Sequence, residues 1–479
     1  MRERSWAARF ATAQRAVKAA ARVALDPERR DGYKHRSVFT KVLIADRGLT
    51  AVRIARTCER LGMHTIAVHG EADAAAPHVL ACEEAVAIAG AQPYADAAAI
   101  VAAARERGAD AVHPGTSELA LRPAFAELLA GAGIAFAGAS RETLALTADR
   151  LETRALAVRA GVRVVPSAEV ALRDLDGARG AAERLGVPLR VTPVIRCGVR
   201  ARRLEDLDEL LDALQSTSRD AAQACGDGRV LLEVDLDRPR RLDVQLVADG
   251  NGVVALGERE SSVRRGDEPV LCEQPAPALA GLADGDERRR ALHEAAIDIA
   301  REAALRGAAT VTFLLDPGGR TFFVRLDPRI EADHVATEMY AGVDLVEEQL
   351  RIAAGQGVSE PARRTQATGH AIQAFVYGQP PAEGAQAIDT LRWPLLPPGS
   401  LRIETNLAAG AAPEGDRLIA TVSAYHQTRH RAVLTLDRVL AETAIAPLAT
   451  NLAFLRKLLG DDSLRAGQYD VDFTTRMQD

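Results

Sequence analysis

The chain has 479 residues, of which 47% are hydrophobic and 26% are charged, and its formal net charge is −6. This length provides for roughly three or four subdomains, and the composition is ordinary for a soluble globular protein. A small negative net charge gives no electrostatic reason to expect nucleic acid or a membrane as a partner. No apolar run in the sequence reaches the length of a membrane span. The five cysteines are scattered without metal-ligand spacing, so we expect a cytoplasmic protein.

The first part of the chain predicts an amphipathic helix. Its apolar residues recur at alternating steps of four and three, on one helix face: Trp6, Phe10, Ala13, Val17, Ala20 and Ala24. Ser5 caps the start of this helix, and Asp26 and Pro27 end it. Three interpretations stay open: a helix packed on its own body or on a partner, a frayed tail, and a transit or membrane-surface helix. We treat residues 1–37 as a helical extension.

A doubly wound α/β domain is predicted to follow. From Lys41 to Gly70 the sequence KVLIADRGLTAVRIARTCERLGMHTIAVHG reads as strand, turn, helix and strand, which is a βαβ unit. From Ala97 to Leu129 the order is helix, strand, loop and helix. Glycine-containing turns of this kind also occur in unrelated doubly wound proteins, so they indicate a fold class and not an activity.

Two strand pairs are predicted in the middle of the chain. The β-branched stretch TPVIRCGVRAR from Thr192 is compatible with a hairpin. Residues 310–315 and 321–326 alternate at period two around the turn sequence DPGG, which predicts an antiparallel pair. Two sets of side chains should share a face of this pair: Thr310, Thr312 and Leu314 on the first strand, and Phe323, Arg325 and Asp327 on the second.

The segment after this pair, LDPRIEADHVATEM at 326–339, resembles the signature Glu-x-Asn-x-Arg-x-Gln-Val-Glu-His of the biotin carboxylase family. GVDL at 342–345 and EQLRIAAG at 348–355 continue the resemblance, which extends over residues 38–473. The residues that hold the family's places are Arg329, His334, Thr337, Glu338, Met339, Gly342, Val343, Asp344 and Leu345.

The resemblance implies a fold of mixed α/β and α+β class, with a doubly wound N-terminal domain, an ATP-grasp lid and core, and a C-terminal domain. It places the N-terminal domain at residues 38–147 and the lid at 148–237. The core then covers residues 238–365 and the C-terminal domain residues 366–479.

The same resemblance exposes departures at the metal site. The family places one carboxylate on each strand of the pair for magnesium, and the matching positions here are Thr312 and Arg325. A guanidinium facing a divalent cation at about 4 Å costs roughly 8 kcal/mol of repulsion at an effective dielectric of about 20. The signature's Asn is Asp327, its Gln is Glu331, and its general-base Glu is Asp333.

The positions that match substrate contacts differ as well. Arg150 stands where the family has a nucleotide-contacting Lys, Glu233 at the adenine-side carboxylate, and Leu236 at the adenine-packing position. The glycine-rich phosphate loop of the lid keeps only Gly198, and its Lys is Thr192. Further departures are Pro269 in place of a bicarbonate-binding Lys and Phe375 in place of the Arg that stabilises the biotin enolate.

These departures predict a catalytically inactive biotin-carboxylase-like protein, a pseudoenzyme with a structural or regulatory role. We expect no catalytic residues, with Arg329 and Asp333 as vestigial positions, and no metal. We expect no cofactor beyond weak ATP or ADP binding at the vestigial Arg150, Glu233 and Leu236.

The resemblance also implies partners. We expect a scaffold subunit of an acyl-CoA carboxylase assembly of fatty acid metabolism, paired with biotin carboxylase, carboxyltransferase or biotinyl carrier subunits, or with itself, as a homo- or heterodimer. The alternative is an active biotin carboxylase or another ATP-grasp ligase with a rearranged site. In that case the phosphates would be bound by Arg196, Arg200, Arg202 and Arg264.

Several retained side chains also have a purely structural interpretation. Arg329 would then form an ion pair with Glu331, His334 would pack inside its loop, and Glu233 would be a solvated carboxylate at a strand end. Cys272 is interpreted as a small buried residue.

Overall fold

The computed structural model describes residues 39–280, 282–365, 367–379, 387–395, 397, 399–410 and 417–477. The predicted helix with Trp6 and Phe10 lies outside the described residues. Within those ranges, no helix is both long enough and apolar enough to cross a membrane.

The N-terminal part is built on a five-stranded parallel sheet in the order β3-β2-β1-β4-β5. Its strands are β1 (Lys41–Ile44), β2 (His64–His69), β3 (Glu84–Ala87), β4 (Ala111–His113) and β5 (Ala135–Phe136). The connecting helices are α1 (Gly48–Arg60), α2 (Pro77–Ala81), α3 (Ala97–Glu106), α4 (Pro123–Gly131) and α5 (Arg141–Ala148). The strand order reverses between β1 and β4, so the predicted doubly wound domain is confirmed.

The lid is a four-stranded antiparallel sheet in the order β6-β9-β7-β8, covered by helices. Its elements are α6 (Arg150–Arg159), β6 (Ser167–Val170), α7 (Leu175–Leu185), β7 (Leu189–Pro193), β8 (Arg202–Leu204), α8 (Leu210–Cys225) and β9 (Val230–Val234). The hairpin predicted around Thr192 is present, because β7 pairs with β8 from Leu189 to Val191.

The core of the molecule is an eight-stranded sheet in the order β14-β13-β10-β11-β12-β15-β18-β17. Its first part contains β10 (Arg240–Asp249), β11 (Val253–Arg265), β12 (Glu268–Gln274), α9 (Pro277–Ala280), α10 (Gly285–Glu302), β13 (Arg306–Leu315), β14 (Thr321–Asp327), α11 (His334–Ala341), α12 (Leu345–Ala353) and α13 (Glu360–Arg363). The predicted antiparallel pair is therefore confirmed as β13 and β14, at one edge of the sheet.

The C-terminal part continues the same sheet. It contains β15 (His370–Tyr377), β16 (Thr390–Arg392), β17 (Leu401–Thr405), β18 (Leu418–His426), α14 (Arg429–Glu442), β19 (Ala444–Ala446), α15 (Leu452–Gly460), α16 (Asp462–Arg465) and α17 (Phe473–Arg476). Strand β15 pairs with β12, and β16 with β19 forms a separate two-stranded sheet. Strands from before and after residue 365 belong to the same eight-stranded sheet, so the sheet does not mark a boundary between core and C-terminal domain. The domain limits inferred above stay predictions.

Candidate functional site

Arg325 lies on β14, opposite Thr312 of β13. Its Nη2 donates to Glu331 Oε1 at 2.7 Å, its Nη1 lies 3.5 Å from Asp327 Oδ2, and its Nε donates to Thr312 Oγ1 at 3.3 Å. Burial opposes its charge, but the carboxylates of Glu331 and Asp327 outweigh burial and raise the pKa of Arg325 far above its ordinary value. The side chain is a fixed cation held by two acids.

Thr312 belongs to a second group of contacts on the same face of the sheet. Its Oγ1 donates to Asp243 Oδ1 at 2.5 Å, and Arg241 Nε lies 3.1 Å from Asp243 Oδ2. Asp243 is fully buried on β10. Burial would raise the pKa of Asp243, but the charges of Arg241, Arg259 and Arg325 outweigh it and hold the pKa below its usual range.

Asp327 connects three parts of the molecule. Arg196 reaches it from the loop between β7 and β8, with Nη2 at 2.9 Å from Oδ2. Arg329 Nε donates to Oδ1 at 3.2 Å, and its Nη1 donates to the carbonyl of Thr116 in the N-terminal domain at 2.6 Å. Burial is outweighed by the charges of Arg329, Arg196 and Arg325, which lower the pKa of Asp327. The predicted ion pair between Arg329 and Glu331 is therefore wrong, because Glu331 pairs with Arg325 and Arg329 pairs with Asp327.

Asp333 is buried directly before α11, 3.2 Å from Arg259 Nη2. Arg259 is fully buried on β11, and its Nη1 donates to Gln245 Oε1 at 2.9 Å and to Thr337 Oγ1 at 2.6 Å. Burial raises the pKa of Asp333, the charge of Arg259 opposes this, and the charge of Glu331 adds to it. The position that matches the family's general base thus holds a carboxyl group engaged by a buried arginine.

Glu233 lies on β9 of the lid. It accepts a hydrogen bond from Arg154 Nη1 at 2.8 Å and one from Thr192 Oγ1 at 2.8 Å. Its interpretation as a solvated carboxylate is wrong, because both oxygens are engaged by protein donors. Leu236, two residues after the end of β9, is half-buried.

Arg150, at the first turn of α6, is the exception among these cations. Its guanidinium has no hydrogen-bond or ion-pair partner within the part of the chain that the structure describes, and its Nε is buried. Burial and the neighbouring charge of Arg196 lower the pKa of Arg150 to about 10. Its donors are therefore unused.

The four arginines considered for phosphates all have partners in the protein, and Arg200 and Arg264 share one of them, Asp267. Arg196 donates a hydrogen bond to Asp327. The pKa of Arg264 is lowered to about 10, mainly by burial and also by repulsion from Arg241. The other two are exposed: Arg200 lies 3.4 Å from Asp267 and Arg202 lies 3.1 Å from Asp212.

The positions that match bicarbonate and biotin contacts carry no donor side chain. Pro269 lies on β12, and its carbonyl accepts a hydrogen bond from Tyr377 at 2.8 Å. Phe375 is fully buried on β15 and packs in a cluster with Cys272 and Ala336. The interpretation of Cys272 as a small buried residue is confirmed.

Three family models match the chain in succession. Residues 38–144 match the biotin carboxylase N-terminal domain, residues 149–360 the ATP binding domain of the carbamoyl-phosphate synthase L chain, and residues 379–476 the biotin carboxylase C-terminal domain. A biotin carboxylase from Nostoc sp. is 34% identical over 448 residues, which cover 92% of this chain and 99% of that protein. The chain belongs to the biotin carboxylase family.

Other members of the family agree in sequence and in structure. The mitochondrial methylcrotonoyl-CoA carboxylase subunit alpha of rice is 33% identical over 91% of this chain, which spans 60% of that protein. The biotin carboxylase domain dimer of Hydrogenobacter thermophilus 2-oxoglutarate carboxylase, in complex with MgADP, ADP and bicarbonate, superposes with a TM-score of 0.86 at 29% identity, covering 93% of this chain and 98% of that chain. A Campylobacter jejuni biotin carboxylase in complex with β-γ-ATP gives a TM-score of 0.85 at 27% identity, covering 91% and 99%.

The residues present do not fit the family's magnesium ion between β13 and β14. Arg325 and Thr312 offer no carboxylate oxygen there, and the nearby Asp243 and Asp327 are each paired with arginine. Across the described ranges, no group of three or more His, Cys, Asp and Glu side chains could hold a metal ion. The carboxylates that a hard cation would need as ligands already form ion pairs with arginine guanidinium groups.

The ion pairs and hydrogen bonds described above form a network of arginines and carboxylates. Sequence reasoning missed several residues that complete this network. Arg154, Arg241, Asp243 and Arg259 come from α6, β10 and β11, far from the signature in sequence. One local signal was available, because Arg241 and Asp243, like Arg325 and Asp327, are two residues apart on a strand and so share a face. The interpretation of His334 as a packing residue is confirmed, since it is buried at the start of α11 with Nδ1 2.8 Å from the Glu331 carbonyl.

Proposed function

We propose that this protein of the biotin carboxylase family does not carry out ATP-dependent carboxylation of biotin, and that it serves as a structural or regulatory subunit. The observation that carries the proposal is the contact of Arg325 with Glu331 and Asp327. The guanidinium of Arg325 forms ion pairs with Glu331 and Asp327, at positions that match metal-binding and catalytic groups in the family resemblance.

Energetics favour the closed network over a metal-bound site. Asp327 and Asp243 are fully buried, and removing one partner from a buried ion pair costs about 3–5 kcal/mol. A magnesium ion would have to displace at least one of Arg325, Arg196 and Arg241 and would then face the displaced charge. The same argument supports at most weak ATP or ADP binding, since Arg196 is held by Asp327 and Glu233 already accepts hydrogen bonds from Arg154 and Thr192.

A role within an acyl-CoA carboxylase assembly is supported by the names of relatives. Those of rice and pig are called methylcrotonoyl-CoA carboxylase subunit alpha and propionyl-CoA carboxylase alpha chain, and the Hydrogenobacter structure is described as a dimer. We propose a homodimer, or a heterodimer with an active biotin carboxylase subunit, that contacts carboxyltransferase or biotinyl carrier subunits. The proposed place of action is the cytoplasm.

Two experiments test this function. The purified protein, given free biotin, bicarbonate and Mg-ATP, should cleave ATP no faster than a heat-killed control. Affinity purification of the native protein followed by mass spectrometry should recover acyl-CoA carboxylase subunits. A monomer in light scattering that recovers none of them contradicts the proposed assembly.

A second function, an active biotin carboxylase or another ATP-grasp ligase, is favoured by one observation. Among the residues that the structure describes, the guanidinium of Arg150 has no hydrogen-bond or ion-pair partner, and Arg150 stands at the position that matches a nucleotide contact. In that case the anion bound by Arg150 would be a nucleotide phosphate, and the Arg150→Ala variant would lose ATP cleavage. In the structural role, this variant has no activity to lose.

A further inference from the structure

A cavity lies beside the turn that joins β11 and β12. Its volume is about 420 Å³, within the range of roughly 300–1,000 Å³ that is usual for small-molecule sites. The turn contributes Arg265 and Glu268, and Tyr377 comes from the end of β15. Arg417, directly before β18, and Phe454, in the first turn of α15, line two further walls. Segments that are far apart in the sequence thus converge on one concave surface.

This cavity is separate from the network of arginines and carboxylates. Among the described residues, its lining includes none of the side chains that pair with Asp243 and Asp327. The hydroxyl of Tyr377 donates to the backbone carbonyl of Pro269 at 2.8 Å, which fixes the ring against the β11–β12 hairpin. A ligand bound in the cavity would therefore leave the ion pairs of the network in place.

The charged side chains of the cavity favour an anion. The guanidinium carbon of Arg265 lies 4.5 Å from the centroid of the Phe454 ring, a distance typical of a cation–π contact. Arg417 Nη1 donates to Glu268 Oε1 at 2.7 Å. Within the described ranges of the chain, Nε and Nη2 of Arg417 form no hydrogen bond, so one edge of this guanidinium is available. Two arginines and one glutamate leave the lining with one excess positive charge.

The start of α15 provides a firm wall with the same electrostatic preference. Asn451, the residue before this helix, does not cap its amides. Its side chain instead donates to the carbonyl of Phe375 at 3.0 Å and accepts from the amide of Tyr377 at 2.8 Å, both on β15. The first turn of the helix contains no acidic residue, so its amides add partial positive charge to that of the arginines.

The rest of the lining is partly apolar. Val270, Ala453 and the rings of Tyr377 and Phe454 form apolar walls. An arginine beside a flat apolar surface suits a ligand that has both an oxyanion and an apolar group. The available edge of a guanidinium can donate to two oxygens of one carboxylate or phosphate.

We propose that this cavity binds a small organic oxyanion, with a carboxylate or phosphate attached to an aromatic group. Arg417 donates to the oxyanion through Nε and Nη2, and Arg265 adds a second positive charge. The aromatic group packs against the apolar walls, so the free oxyanion alone binds more weakly. This inference goes beyond the proposed function and does not depend on whether ATP is cleaved.

Isothermal titration calorimetry of the full-length protein tests the site with four probes. Phenyl phosphate and benzoate carry both parts of the proposed ligand, inorganic phosphate lacks the aromatic part, and benzamide lacks the charge. We expect saturable one-site binding of phenyl phosphate, benzoate or both at millimolar concentrations, and the tighter of the two identifies the preferred oxyanion. Inorganic phosphate should bind several-fold more weakly, and benzamide should not bind measurably.

Three variants locate the binding site. Arg417→Gln should weaken binding roughly tenfold or more, because it removes the charge-assisted hydrogen bonds. Glu268→Gln should strengthen binding several-fold, because it removes the carboxylate that competes for Arg417. Arg456→Gln is the matched control, since Arg456 is an exposed arginine of α15 outside the cavity, and it should leave the affinity unchanged.

A gain of affinity in Glu268→Gln cannot result from misfolding, so the pair of opposite effects separates the proposal from a loss of structure. Absence of saturable binding by both aromatic oxyanions, or equal binding of benzamide, would overturn the proposal. Binding that is lost in Arg150→Ala and kept in Arg417→Gln would also overturn it, because the ligand would then lie at the position that matches a nucleotide contact.

Discussion

Arg325 Nη2 lies 2.7 Å from Glu331 Oε1, so a strand residue and a signature-loop residue form a direct ion pair. The resemblance in sequence matches these positions to a metal ligand and to an uncharged Gln. Here a change to a cation and a change to an anion occur together, and they neutralise each other. The pair gives a physical reason why this part of the sheet can hold a cation and an anion side by side.

Replacing Arg325 alone with an acidic residue should destabilise the fold and should not restore ATP cleavage. Arg325→Glu places a third carboxylate beside Glu331 and Asp327, so we expect a loss of roughly 3–5 kcal/mol in the free energy of unfolding. Chemical denaturation measures this. The exposed Arg301→Glu of α10 is the control and should change stability by less than about 1 kcal/mol. The double variant Thr312→Glu/Arg325→Glu should still not cleave ATP; recovery of cleavage would contradict the account.

Asp327→Asn introduces the residue that the family signature carries, yet it should destabilise this protein. The substitution leaves Arg196 and Arg329 without their shared carboxylate, so we expect a loss of about 3–5 kcal/mol and faster trypsin cleavage of the loop between β7 and β8. Because the folded pKa of Asp327 is depressed, its contribution is present above the unfolded pKa and is lost as pH falls. An unchanged acid-unfolding midpoint in the variant would count against the role of Asp327 as a connecting residue.

Glu260 should make the free energy of unfolding depend on pH in the direction opposite to Asp327. It is fully buried next to Arg240, at 2.6 Å, and burial raises its pKa to about 7 from 4.5. The folded protein therefore keeps a proton that the unfolded chain loses between these values, and the free energy of unfolding should fall by up to ~1.4 kcal/mol per pH unit as pH rises through this window. Glu260→Gln should remove this slope, whereas the exposed Glu442→Gln should keep it.

Nucleotide should stabilise the protein only slightly. Each charge-assisted hydrogen bond to phosphate is worth about 1.5–3 kcal/mol. The arginines of the network are already paired with carboxylates: Arg196, Arg241, Arg259 and Arg325. Millimolar Mg-ATP should therefore barely change the melting temperature. A rise of several degrees that disappears in Arg150→Ala would contradict this expectation and indicate nucleotide sensing.

The N-terminal extension should matter for partners and not for the fold. Burying Trp6 and Phe10 against a neighbouring chain would contribute roughly 3–6 kcal/mol by area. Deleting residues 1–30 should release the partner in size-exclusion chromatography and leave the melting temperature of the isolated protein nearly unchanged. Unfolding of the truncated protein would show that the helix belongs to its own body.

Local patterns predicted the local parts of this structure. The DPGG turn between two alternating runs predicted β13 and β14, and the signature loop pointed to Arg325 and Asp327 as altered positions. The partners could not be predicted, because which cation meets which acid depends on strand register and on side chains that cross between domains. Arg329 shows this: its acid is Asp327, two residues away, and not Glu331, while Arg196 reaches Asp327 from 131 residues away.

Release of phosphate from ATP, with free biotin, bicarbonate and magnesium present, tests the central claim most directly. The wild-type protein, its Asp333→Asn variant and a heat-killed sample should give the same rate, because Glu331, Asp327 and Asp243 are already paired with arginines. An active relative, such as the Nostoc biotin carboxylase, serves as the positive control. A wild-type rate above the heat-killed sample that Asp333→Asn abolishes would contradict the account, since it would assign catalysis to this chain's own site.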